Sequence, residues 1–175
     1  AGADALDLNL GPAKQSENQI RWAVETIQSE GNAPLFISSH VLSQPEILDM
    51  HQGRATINSV TADPATLAEA MKKAHAYDAD LVVLLVRPGL TPFTVDERLQ
   101  LALEVLETAN RVDFPLSALY LDPLFHFRPD PMTWHLSRGL PDIDSVLETI
   151  EMLPQLTGEK IRSVVALSSA SQFLH

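Results

Sequence analysis

Between residues 5 and 168 the chain repeats one arrangement: a short apolar run, a turn signal, then apolar residues at helical spacing. The apolar runs fall at 5–10, 34–39, 55–60, 80–86, 116–124 and 163–168, and no hairpin signal joins any two of them. A strand that returns to its sheet through a helix must lie parallel to its predecessor, with a right-handed crossover. The alternation therefore predicts an α/β chain with a parallel sheet, either doubly wound or closed as a (β/α) barrel of the TIM type. The polar residues favour the barrel. Every barrel strand opens its carboxyl end onto one mouth, and these runs carry Asp7, Asn9, Ser38, Asn58, Asp122 and Ser169 at or near their ends.

The helices carry their own start signals. Ser16-x-x-Gln19, Ser43-x-x-Glu46 and Thr94-x-x-Glu97 read as capping boxes, and Asp63-Pro64 as a further helix start. Inner faces are expected from Ile20, Ala23, Val24 and Ile27; from Leu67, Met71 and Ala74; from Leu99, Ala102, Leu103 and Leu106; and from Ile143, Val146, Leu147 and Ile150. A short helix carrying Ile47, Leu48 and Met50 is expected after the second strand, and the last helix is expected to end around Pro154. The run at 80–86 is the most apolar and belongs deep in the sheet.

A full barrel needs eight units and roughly 250 residues, whereas 175 residues supply six strand runs. One domain is expected over 1–175, an incomplete barrel lacking a first and a last unit. The chain opens at Ala1-Gly2-Ala3-Asp4 without an initiator methionine, which agrees with a longer native chain. The open edges at 6–10 and 164–167 then call for a longer chain or a partner subunit to cover them.

Composition removes several functions. A net charge of −11 and a pI near 4.8 repel nucleic acid and anionic membrane. The absence of cysteine excludes disulfides, thiolate catalysis and cysteine-held metal. The run at 81–86 is too short to span a bilayer, and a soluble cytoplasmic protein is expected. His40, His51, His75, His126 and His135 have no tight metal-ligand spacing. The serines at 168–171 lack the G-x-S-x-G elbow of a nucleophile, and the glycines form no phosphate cradle. The long segment 125–141, with Trp134, His135 and Arg138 between prolines, is the length of a functional loop.

The polar set that remains, Asp122, Asn58, Asp7 and Asn9, holds no strong nucleophile. It suits the binding of a hydrogen-bonding heterocycle. A carboxylate accepts two parallel N–H bonds, as an amino-pyrimidinone edge offers, and an amide serves donors and acceptors alike. For Asp122 the other reading is a plain turn residue before Pro123.

Taken together, Leu6-Asp7-Leu8-Asn9-Leu10-Gly11-Pro12, Ile57-Asn58-Ser59, Tyr120-Leu121-Asp122-Pro123-Leu124 and Ala166-Leu167-Ser168-Ser169-Ala170-Ser171 resemble the pterin-binding barrels. That group includes the methyltetrahydrofolate methyltransferases acting on corrinoid proteins. The resemblance implies an eight-unit barrel, often a homodimer, holding a tetrahydrofolate in its mouth and passing the N5 methyl group to cob(I)alamin on a partner protein. It implies that Asn58 and Asp122 contact the pterin ring. The sequence departs from the family pattern at Ile37-Ser38-Ser39, where an aspartate is usual, and at Ser169, where the family has an asparagine that assists methyl transfer. These departures leave open a binding or interaction protein with altered chemistry. A relative of dihydropteroate synthase is a weaker alternative, because the lysine and arginine set of that family is not found.

Overall fold

The computed structural model describes residues 3–9, 17–125 and 143–167. Six strands, β1 (Leu6–Leu8), β2 (Leu35–Ser38), β3 (Thr56–Thr61), β4 (Asp80–Leu84), β5 (Leu119–Asp122) and β6 (Arg162–Ser163), form one sheet in that order. Every neighbouring pair is parallel. A doubly wound sheet reverses its strand order at a switch point; here the order never reverses, so each crossover moves the same way around. That is the winding of a TIM-type barrel, with six strands among the described residues.

Side chains alternate between the two faces of each strand. Leu35, Ile37, Ile57, Leu81, Val83, Leu119 and Leu121 take one face, at 0–1% exposure. They pack with the inner stripes of four α-helices, α1 (Glu17–Glu30), α2 (Leu67–Ala76), α3 (Val95–Arg111) and α4 (Ile143–Thr157). The opposite face is the barrel interior, and the register places Asp7 beside Phe36, Phe36 beside Thr56 and Thr56 beside Asp80. Strand β4 lies between β3 and β5 with four of its five residues buried, as its apolar run predicts.

The capping box at α3 is present. Thr94 Oγ1 accepts from the Glu97 amide at 3.2 Å, and the Glu97 carboxylate accepts from the Thr94 amide at 3.1 Å and the Phe93 amide at 2.8 Å. Those amides hold the Glu97 carboxyl below its ordinary value of 4.5. Thr94→Ala is expected to lower stability by about 1 kcal/mol, or ~2–4 °C in Tm for a domain of this size. A thermal melt checks this, and an unchanged Tm would show that the box is not stabilising.

Several boundaries differ from the sequence expectation. After β2 the chain forms two short 3-10 segments, Ser39–Ser43 and Pro45–Met50, in place of a capped α-helix. Pro45 disfavours helical geometry at Gln44, which sits at φ −143, ψ 63 and divides the segment. Ser43 caps nothing; its hydroxyl donates to the His40 carbonyl at 2.7 Å. The run at 116–124 begins with a 3-10 turn, Leu116–Ala118, and only Leu119–Asp122 pairs as strand. The sixth strand pairs earlier and more briefly than expected, over Arg162–Ser163, although the Val164 amide still donates to the Leu121 carbonyl at 3.2 Å. Leu103, Ile143 and Leu147 are exposed, not buried. The buried stripe of α4 runs through Val146, Thr149 and Leu153, and the helix continues past Pro154 to Thr157.

Candidate functional site

A cavity of about 320 Å³ opens between the two outer strands of the sheet. Leu6 and Asp7 of β1 line one side, and Val164, Val165 and Ala166 beyond β6 line the other, with Phe36, Asn58 and Asp122 between them. Thus the two edge strands, farthest apart in hydrogen-bonded order, face a common hollow. Only a sheet curled toward closure brings them together.

Asn58 reaches the cavity from β3, where the register shifts against β4 between Ile57 and Val60. An extra residue of this kind re-aims its neighbours. The Asn58 amide nitrogen donates to Asp7 Oδ1 at 3.2 Å. That bond fixes the amide with its nitrogen toward β1, so Asn58 Oδ1 and the second oxygen of Asp7 are acceptors.

Asp122 ends β5, is only 6% exposed, and lines the same cavity. Its backbone carbonyl accepts from the Leu85 amide at 2.8 Å, and its Oδ1 accepts from the Leu124 amide at 2.8 Å. The second bond closes an Asx turn across Pro123, with Leu124 at a left-handed φ of 57. Burial pushes the Asp122 carboxyl up to about 6, against the opposing pull of the Leu124 amide. Asp122 is thus a turn residue, as one of the two sequence readings has it, and its side chain also lines the cavity.

The other expected site residues are placed differently. Ser38 lies beside Asn58 in the register but does not line the cavity, and its hydroxyl is 2.9 Å from His40 Nδ1. Asn9 is exposed and outside the lining. Ser169, like His126, Trp134, His135 and Arg138, lies outside the described residues. Among the described residues no group of three His, Asp or Glu side chains could hold a metal ion. His51 has a structural role: its Nε2 accepts from the Leu35 amide at 3.1 Å, which leaves the ring proton on Nδ1.

The sequence reading missed Phe36 and the aliphatic wall 164–166. The signal for Phe36 was the period-two alternation that puts it level with Asp7. It also missed a charged group inside the barrel. Asp80, 5% exposed, has Arg162 Nη2 at 2.8 Å and Arg54 Nη1 at 3.4 Å. Arg162 also donates to the Tyr120 hydroxyl at 2.8 Å and lies 3.9 Å from that ring's centroid. The Tyr120 ring meets Phe36 edge to face at 5.8 Å, linking the charged group to the cavity wall. A second hollow of about 280 Å³ lies between the β2–β3 connection and α2. Among its described lining residues the one cation, Lys73, is bound to Glu69 at 3.0 Å and to the Leu42 carbonyl at 3.3 Å, which leaves it a poor anion site.

No protein-family model matches the sequence. Solved structures of the same fold do. The Xanthomonas albilineans dihydropteroate synthase in complex with indole-2-carboxylic acid and 6-chloroguanine aligns over 95% of this chain and 59% of its own, at a TM-score of 0.62 and 16% identity. The Yersinia pestis dihydropteroate synthase with a pterin–sulfa conjugate aligns over 99% of this chain and 66% of its own, at a TM-score of 0.62 and 14% identity. The chain thus spans 59–66% of the length of these proteins and shares their barrel fold. No helix among the described residues is long and apolar enough to cross a membrane.

Proposed function

We propose that this chain, which has the fold of the dihydropteroate synthase barrels, binds a pterin in the cavity between β1 and β6. The observation that carries the reading is Asp122, a buried carboxylate lining a cavity whose other described polar groups, Asp7 and Asn58, also present acceptors. The 2-amino group and N3–H of a pterin are two parallel donors that match one carboxylate. A volume of about 320 Å³ is at the small end for ligand sites, and suits a bicyclic ring with its tail outside. Phe36 and the aliphatic wall at 164–166 supply apolar contact to the ring faces. The likeness to two synthases, one holding a chloroguanine and one a pterin conjugate, supports the same ligand class.

The finer reading is methyl transfer from methyltetrahydrofolate to the cob(I)alamin of a corrinoid protein. It rests on the motifs around Asp7, Asn58, Asp122 and Ser169. The synthase reading is supported by the fold neighbours. Against it, the described cavity lining carries no lysine or arginine, and stabilising a diphosphate leaving group calls for cations. The Ser38 and Ser169 departures keep a third reading, a pterin-binding protein without methyl transfer. Ser38, turned to His40, leaves the cavity with one carboxylate fewer than the family pattern.

Calorimetry with methyltetrahydrofolate tests the proposal, with Asp122→Ala as the comparison. Wild-type binding is expected, weakened ~100-fold or more in the variant, which is about 2.7 kcal/mol. Failure of the wild type to bind would overturn the pterin reading. Binding without methyl transfer to cob(I)alamin would overturn the methyltransferase reading alone.

A further inference from the structure

We propose that Arg98 is the positioning residue of this cavity, a clamp on α3 that holds the turn carrying Asp122. The inference rests on Asp122 as the pterin anchor. Arg98 sits on the apolar stripe of α3, in helical step with Ala102, Val105 and Ala109, and is 2% exposed. A buried guanidinium in such a stripe must place its donors on specific acceptors. Its Nε donates to the Pro123 carbonyl at 3.0 Å, and its Nη1 donates to the Ser145 hydroxyl of α4.

The geometry matters because of which peptide is held. The carbonyl of the Pro123–Leu124 peptide accepts from Arg98, while the N–H of the same peptide grips Asp122 Oδ1 at 2.8 Å. One rigid plane therefore transmits the position of α3 to the carboxylate. A cation on the carbonyl also polarises the peptide, which makes its N–H a stronger donor. The turn needs that support. Pro123 has no amide hydrogen, and Leu124 at φ 57 sits in the left-handed region that disfavours a side chain. Burial raises the Asp122 carboxyl and the Leu124 amide lowers it, so the hold of Arg98 on that peptide reaches the carboxylate through the amide.

The test compares Arg98→Met, which keeps the aliphatic stem, with Arg98→Lys, which keeps a donor, and Ser145→Ala, which removes the hydroxyl that Arg98 Nη1 meets on α4. The ligand-free readout is the Leu124 amide proton in NMR, followed with pH. In the wild type and Ser145→Ala its shift should follow the titration of Asp122. In Arg98→Met that coupling should be lost, with affinity for methyltetrahydrofolate down ~10-fold or more; Arg98→Lys should recover part of both. If Arg98→Met lowers Tm but leaves the amide titration and the affinity within twofold of wild type, the residue is only structural and the proposal is overturned. Should Arg98→Met not fold, the wild type decides through the Arg98 Nε–H signal: scalar coupling across its hydrogen bond to the Pro123 carbonyl is expected, and its absence overturns the clamp. A wild type that shows the coupling yet binds no folate overturns the pterin reading while leaving the clamp standing.

Discussion

Asp122→Asn is expected to make the protein more stable at pH 7.5 and to cost it about two orders of magnitude in pterin affinity. The carboxyl's ordinary value is 3.8 and burial pushes it to about 6. At 1.36 kcal/mol per pH unit that gap is worth about 3 kcal/mol. The sign follows from linkage: with the folded value raised, the native state favours the protonated form. The stabilisation from protonation is complete below 3.8 and is lost as pH rises through about 6. Above that the wild type carries a buried charge that the asparagine variant lacks.

The asparagine keeps an oxygen to accept from the Leu124 amide, so the turn survives. The expected gain at pH 7.5 is about 1–3 kcal/mol, or ~2–12 °C in Tm, and it should vanish as pH approaches 4. Binding should move the other way, because an amide cannot accept both donors of the pterin edge, and an unmatched donor is penalised strongly in a dry site. Wild-type affinity should also fall as pH drops through about 6, an inflection absent from the variant. Equal stability of the two proteins at pH 7.5 would refute the burial argument, and equal affinity would refute the anchor.

Arg162→Leu is expected to destabilise the chain by about 2–4 kcal/mol in urea denaturation. Removing one partner of a buried pair costs about 3–5 kcal/mol, since the remaining charge stays desolvated. Asp80 is that charge, and Arg54, at 3.4 Å and also engaged with Asp78, replaces Arg162 poorly. The figure is reduced because Arg162 is 32% exposed and its approach to Asp80, although close, is not a well-aligned hydrogen bond. The loss should be concentrated at β6, which pairs with β5 over only two residues and leads into the cavity wall at 164–166. Asp80→Asn combined with Arg162→Leu should recover part of the loss, because no unpaired acid then remains. A loss below 0.5 kcal/mol for Arg162→Leu would mean that the pair is solvated and contributes nothing.

The Thr94 box was readable because its two partners are three residues apart and their geometry is local. The Ser43 box was misread for the same local reason: the motif was present, but Pro45 broke the segment before a helix could use it. Leu103, Ile143 and Leu147 fit a helical period and are nonetheless exposed, since periodicity alone does not say which edge of a stripe the sheet covers. Arg98 carried a signal that went unread, a charge in step with an apolar stripe. Polar residues at strand ends stand out from the apolar runs before them; by that rule Asp7, Asn58, Asp122, Ser38 and Asn9 are all marked, yet only the first three line the cavity.

The sequence by itself determined the alternation of strand and helix, the parallel sheet and the depth of β4, because hydrophobic period and turn chemistry act over a few residues. Only the tertiary structure decided that β1 and β6 face one cavity, that Asn58 turns to Asp7, and that Asp80 finds Arg162. Those contacts join positions 51 and 82 residues apart, and they exist because the sheet curls. No local pattern records that curl. It arises from twist accumulated over six strands and from helices packing on a single face.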